Sequence, residues 1–280
     1  MREINISQII ESIKRMCITS NYYLTEDIKD ALIKAHEDET WELGKNILEK
    51  INTNISIAEE EQSPICQDTG MACVFVEIGQ EVCVVGGILE EAINEGVRRG
   101  YEEGYLRKSI VRDPLSRINT KDNTPAMIYY DIVPGDKLKL TVAPKGFGSE
   151  NMSRIKMLKP SDGVEGIEKF VLDAVRDAGP NPCPPIVVGI GIGGNFDKVA
   201  YLSKKALIRP INIRNTNPYY EALENDLLKK INSMGIGPQG FGGKTTALGV
   251  NIETYPTHIA GLPVAININC HVTRHATEEI

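Results

Sequence analysis

Apolar residues recur at helical spacing from the start of the chain: Ile6, Ile9, Ile10, Ile13 and Met16 share one helix face. Thr25, followed by Glu26 and Asp27, reads as the cap and acidic first turn of a second helix. Trp41, Leu43, Ile47, Leu48 and Ile51 mark a third, so residues 1–60 are expected to form a helical block. The pattern then changes. "MACVFVEIG" and "EVCVVGG" are β-branched runs that read as buried strands, with a helix over Ile88 to Gly100 behind them. "AMIYYDIV" and the alternating "KLKLTV", separated by "PGD", are expected to pair as a hairpin. Val164, Ile167, Val171, Ala174 and Val175 predict a helix ending at Gly179. "IVVGIGIGG" then predicts a strand running into a glycine turn, with helices over Phe196 to Leu207 and Tyr219 to Met234 after it. "ALGVNIETY" and the run into "LPVAININC" are strand-like. Helices and strands mix irregularly, which points to an α+β fold. No internal repeat and no Pro, Gly or Ser linker appears, so residues 1–280 are expected to form a single domain.

Composition narrows the function. A net charge of −7 argues against general nucleic-acid binding, while leaving room for a small acidic substrate in a local cationic pocket. The N-terminus is charged throughout, and no apolar run approaches the ~18 residues of a membrane span, so a cytoplasmic protein without a membrane partner is expected. Its six cysteines then read as reduced thiols or ligands, not as a disulfide framework.

The cysteines fall into two groups. Cys17 lies in a helical pattern and Cys73 and Cys83 in strand patterns, where cysteine behaves as a small hydrophobe. Cys66 lies in the loop "PICQDTG", Cys183 between prolines in "GPNPCPP", and Cys270 where an apolar strand turns into the polar "CHVTRH". Each alone reads equally well as an ordinary thiol. Together they lack the close pairs of a zinc finger but suit an iron–sulfur cluster held from separate loops. Three thiolates leave one iron open to substrate. The polar loop from Leu106 to Pro125 has the length of a functional loop.

"PICQDTG", "GPNPCPP" followed by "GIGIGG", "GFGGK" and "THIAGLPVAININCHVTRH", in this order, resemble the class I fumarase family over nearly the whole chain. The chain is most similar to the separate alpha subunits of two-subunit fumarate hydratases and L-tartrate dehydratases. The resemblance implies a [4Fe–4S] hydro-lyase that hydrates fumarate to malate, or dehydrates L-tartrate by the same chemistry, with Cys66, Cys183 and Cys270 as cluster ligands. It further implies that Gln67 and Asp68 contact substrate and that His258 lies near it. Arg107, among Arg107, Arg112 and Arg117, would bind a carboxylate, and Gly146 and Gly148 would let the backbone approach one. Lys244 would add positive charge.

The residues also carry plainer readings. Asp68 can simply close an Asx-turn before Thr69 and Gly70. His258 can be a satisfied loop histidine, the three arginines and Lys244 can be solvated surface, and His271 and His275 have no assigned role. A dicarboxylate beside a cluster needs more cations than these; the resemblance implies that single-chain relatives take them from a C-terminal domain, which the few residues from Cys270 to Ile280 are too short to form. A beta subunit, and so a hetero-oligomer, is therefore expected. A rival of another class comes from Gly189, Gly191 and Gly194, which match the G-x-G-x-x-G of dinucleotide binding. The acid expected about 20 residues later is missing from "RPINIRNT", so the rival would be an NADP-binding oxidoreductase. A structural metal held by the same cysteines, without catalysis, is the third reading.

Overall fold

The computed structural model describes residues 1–280. In chain order the elements are β1 (Arg2–Asn5), α1 (Ile6–Tyr22), α2 (Glu26–Asp38), α3 (Glu42–Glu61), β2 (Met71–Gly79), β3 (Val82–Val85), α4 (Leu89–Glu103), β4 (Met127–Val133) and β5 (Leu138–Lys145). There follow α5 (Phe147–Glu150), β6 (Arg154–Leu158), α6 (Gly163–Ala178), β7 (Ile186–Gly193), α7 (Phe196–Ala206), α8 (Pro218–Asn232), β8 (Ala247–Tyr255), β9 (Leu262–Asn269) and β10 (Ala276–Glu279). The fold is α+β, as the irregular alternation implied. No helix is long and apolar enough to cross a membrane.

Contacts divide the chain into two compact units. The first comprises Met1–Leu24, Ile55–Phe147 and Arg274–Ile280; the second comprises Thr25–Asn54 and Gly148–Thr273. The chain leaves and re-enters each unit, which is why no one linker in the sequence marks a boundary.

In the first unit a four-stranded sheet runs in the order β10-β5-β2-β4. Ala72, Val74 and Val76 of β2 are buried in a core with Ile9, Ile13 and Met16 of α1, Ile93, Val97 and Tyr101 of α4, and Leu138, Leu140 and Val142 of β5. Gly96 and Gly100 bring α4 against α1: a Cβ on Gly96 would stand 2.6 Å from that of Ile13. The expected β4–β5 hairpin does not form. β2 lies between the two strands, parallel to β4 and antiparallel to β5. The "PGD" turn crosses the end of β2, where Gly79 N–H donates to the Lys137 carbonyl and Gln80 N–H to that of Val133. The most apolar strand takes the centre, and half-exposed β4 is left at the edge. Thr25 does stand at the head of α2, but its carbonyl, not its hydroxyl, accepts the Ile28 and Lys29 N–H groups.

In the second unit the sheet order is β6-β9-β7-β8. Every residue of β7 is buried, with β8 parallel on one side and β9 antiparallel on the other. Val171 and Val175 of α6 and Leu227 and Ile231 of α8 share its core with Val188, Ile190, Ile252, Ile266 and Ile268. The glycines of "GIGIGG" are packing devices. Gly189 and Gly191 lie inside β7, where a Cβ would stand 2.2 Å from the Ser203 carbonyl oxygen or 2.3 Å from that of Val199, both on α7. The head of α7 is capped by its own Asn195 side chain, which accepts the Lys198 N–H. The structure thus builds close strand–helix packing where the dinucleotide reading needed an open glycine loop. Gly189→Ala is expected to destabilise the protein by about 1–3 kcal/mol through overpacking. An unchanged urea midpoint would contradict this account of the glycine.

Candidate active site

The loop from Cys66 to Gly70 belongs to the first unit. Asp68 shapes it. Its Oδ1 accepts the Gly70 N–H at 3.1 Å, forming the Asx-turn, and its Oδ2 accepts the Phe147 N–H at 2.9 Å. Gly70, at φ 76°, has no room for a side chain, since a Cβ would stand 2.8 Å from Lys145 N. The turn aims the Asp68 N–H at Cys66 Sγ (3.4 Å), while the thiol donates to the Gln67 Oε1 at 3.3 Å. Gln67 is exposed and Cys66 half-buried. Gly146 sits against the same carboxylate, 3.3 Å from Oδ2 at its would-be Cβ. Of the three loop arginines, Arg107 is bonded to this loop: its carbonyl accepts the Thr69 Oγ1–H at 3.0 Å. Arg112 and Arg117 lie in the exposed part of the 107–120 segment.

The other two thiols lie in the second unit. Cys183 is exposed and holds a left-handed backbone, φ 55°. A non-glycine residue keeps such a conformation only when its surroundings impose it, and here they are visible. The His271 N–H donates to the Cys183 carbonyl at 3.3 Å, and the ring Nδ1–H donates to the same oxygen at 2.9 Å. Gln239 donates both its backbone N–H and its side-chain amide to the Pro184 carbonyl, each at 2.8 Å. His271 directly follows Cys270, so these bonds bring the segments of Cys183 and Cys270 together. Neither Gln239 nor His271 had a role from sequence alone. The only sequence signals were a glutamine inside "GPQG" and a histidine beside a cysteine.

The remaining candidates are placed as follows. His258 is exposed in the loop after β8, with Nδ1 accepting the Ala260 N–H at 3.1 Å, which puts the ring N–H of the neutral imidazole on Nε2. Gly148 lies beside the segment of Cys183, its would-be Cβ 3.6 Å from the Asn181 carbonyl oxygen. Lys244 is exposed; its Nζ donates to the Asp38 carbonyl at 3.0 Å, and its N–H to buried Glu39 at 2.7 Å.

No disulfide joins any of the six cysteines. Cys17 and Cys73 are buried as expected, and burial pushes the Cys17 thiol up to about 12. Brief alkylation of the apo chain near neutral pH is therefore expected to modify Cys183 first and to spare Cys17. Peptide mass mapping that found Cys17 labelled as fast as Cys183 would overturn this ordering. Within neither unit do three His, Cys, Asp or Glu side chains gather as a closed metal site. The donor set nonetheless fits an iron–sulfur cluster: three thiols in loops, one already accepting a backbone N–H at sulfur, as cluster thiolates do.

A family model described as fumarate hydratase (Fumerase) matches residues 10–279. The chain is 49% identical over 265 residues to a Methanocaldococcus jannaschii protein provisionally named L(+)-tartrate dehydratase subunit alpha, covering 92% of each chain. It is 33% identical over 276 residues to the L(+)-tartrate dehydratase subunit alpha of Escherichia coli UTI89, covering 97% of this chain and 90% of that one. With the protein of the same name from Escherichia coli K12 the identity is 32% over the same span.

Proposed function

The chain belongs to the fumarate hydratase family, and we propose that it is the alpha subunit of an iron–sulfur hydro-lyase acting on a four-carbon dicarboxylate. L(+)-tartrate is the substrate favoured by the names of the relatives. Hydration of fumarate to malate, favoured by the family description, is the second reading. The observation that carries the reading is the pair of hydrogen bonds that His271 donates, from its N–H and its ring Nδ1–H, to the Cys183 carbonyl, which ties the Cys270 segment to that of Cys183.

Cys66, Cys183 and Cys270 are the proposed thiolate ligands of a [4Fe–4S] cluster. When bound, the cluster supplies an open iron as a Lewis acid toward the leaving hydroxyl. The chain's own residues bind and orient. Arg107 holds a substrate carboxylate through its planar fork, and the exposed Gln67 amide donates to the substrate beside it. Backbone at Gly146 and Gly148 approaches the other carboxylate. His258 presents Nε2–H to polarise or orient nearby groups, and proton transfer falls to Asp68 or to a residue of the beta subunit. We place the enzyme in the cytoplasm, where thiols stay reduced.

The test is anaerobic reconstitution with iron, sulfide and a beta subunit, followed by turnover on L(+)-tartrate, fumarate and mesaconate. A brown protein that dehydrates tartrate is expected, with the alpha chain alone turning over poorly. A colourless protein inactive on all three substrates would sink the proposal.

A further inference from the structure

Arg274, in the "CHVTRH" segment, has no part in the reaction above, yet it is only 4% exposed. Its Nη2 donates to the Asp68 carbonyl, while Nε and Nη1 are buried without a hydrogen-bond partner. A desolvated cation whose one bond goes to a neutral acceptor is unfavourable by itself. The neighbouring carbonyls show what it belongs to. The Tyr101 hydroxyl donates to the Thr69 carbonyl at 2.7 Å and is 3.0 Å from that of Gly70, which also accepts from Asn123 Nδ2 at 3.2 Å. Tyr101 and Asn123 are both fully buried. Burial holds the Tyr101 hydroxyl well above its ordinary range, so it stays a donor.

Arg274, Tyr101 and Asn123 thus form a buried donor floor under three successive carbonyls, those of Asp68, Thr69 and Gly70. With the carbonyls drawn to that floor, the loop keeps Gln67 exposed and Cys66 and Asp68 half-buried. Tyr101 and Asn123 donate as neutral groups. Only Arg274 makes a charge-assisted bond, the stronger kind, and it makes it to Asp68, the residue whose turn aims an N–H at Cys66 Sγ. We propose that Arg274 is a positioning residue that fixes the direction in which Cys66, Gln67 and Asp68 face the substrate. Its kinetic consequence rests on the hydro-lyase reading; its local consequence does not.

Two measurements on Arg274→Gln and Arg274→Lys separate these. Amide exchange in the full alpha chain reads the loop: Arg274→Gln is expected to speed exchange of the Gly70 and Phe147 amides, both held by Asp68, about tenfold while Val74 in β2 stays protected. Kinetics of the anaerobically loaded enzyme with its beta subunit, normalised to cluster content, read the consequence: kcat/KM for L(+)-tartrate is expected to fall about tenfold or more. Arg274→Lys, which keeps the charge, is expected to recover most of both, and Arg15→Gln, at a surface ion pair with Glu278, to change neither. Unchanged exchange at Gly70 and Phe147, or a rise shared equally by β2 and β5, overturns the inference, as does wild-type kcat/KM in the loaded variant. Should Arg274→Gln not fold, Arg274→Ala refolded with guanidinium decides: withdrawing the guanidinium is expected to speed exchange at the two amides, and exchange there that is the same with and without it is the refuting result. A wild-type enzyme without hydro-lyase turnover would refute the function proposed above and leave the exchange result to judge Arg274.

Discussion

Cys183→Ser is expected to abolish cluster assembly and to lower turnover of the reconstituted enzyme by more than about a hundredfold, beyond what losing an outer-shell partner of a metal site costs. Serine is nearly isosteric but does not replace a thiolate toward iron. Its backbone meets the same constraint at φ 55°, and the bonds from His271 and Gln239 go to main-chain carbonyls that the substitution leaves in place. The variant should therefore fold with an unchanged urea midpoint, which separates ligand loss from fold loss. Cys66→Ser and Cys270→Ser should behave alike. Cys17→Ala, Cys73→Ala and Cys83→Ala should keep iron and sulfide at normal content, though the first two leave small cavities. Iron and sulfide assays on each purified variant decide the matter, and a normally occupied cluster in Cys183→Ser removes the cysteine from the ligand set.

Much of this was legible in the chain because it is local. Helical periodicity set α4 and α6 through α8 to within a few residues and signalled α1 through α3 without their ends, while strand β1 (Arg2–Asn5) lies inside the stretch expected to be helical; runs of β-branched residues gave β2, β7, β8 and β9. What failed was non-local. The "PGD" turn does reverse the chain, but whether flanking strands pair depends on which other strand is more apolar, and β2 inserted between the two. Short exposed β6 and terminal β10 carry too little apolar pattern to announce themselves. The glycines of "GIGIGG" were visible, but their reason, the backbone of α7 lying over β7, was not. The candidate site shows the same division. Motifs singled out Cys66, Cys183 and Cys270, whereas the groups that hold those loops come from far along the chain. Nothing in "VTRH" says that its arginine is buried beneath Asp68, nor in "GPQG" that its glutamine clamps Pro184.

Glu224→Gln is expected to destabilise the protein by about 3–5 kcal/mol, the range for breaking a buried ion pair by removing one partner. That is a large share of the roughly 5–15 kcal/mol that holds a typical domain together. Glu224 is fully buried on α8. Its Oε1 accepts from Arg209 and, at 2.7 Å, from the Ile252 N–H of β8, and its Oε2 accepts the Asn215 N–H at 3.2 Å. Glutamine has the right shape but sets an NH2 group against one of these donors, and it leaves Arg209 without its buried counter-charge. Arg209 keeps Glu253 at 3.2 Å, but that carboxylate is one-third exposed and its charge is opposed by partial burial, which raises its affinity for protons. Glu253→Gln, at the solvent side of the same cluster, should accordingly cost only about 0–1 kcal/mol. Trp41, the chain's single tryptophan, is already 54% exposed, so far-UV circular dichroism is the signal to follow for urea unfolding. If Glu224→Gln moves the midpoint no further than Glu253→Gln does, the buried carboxylate is not what fastens α8 to β8.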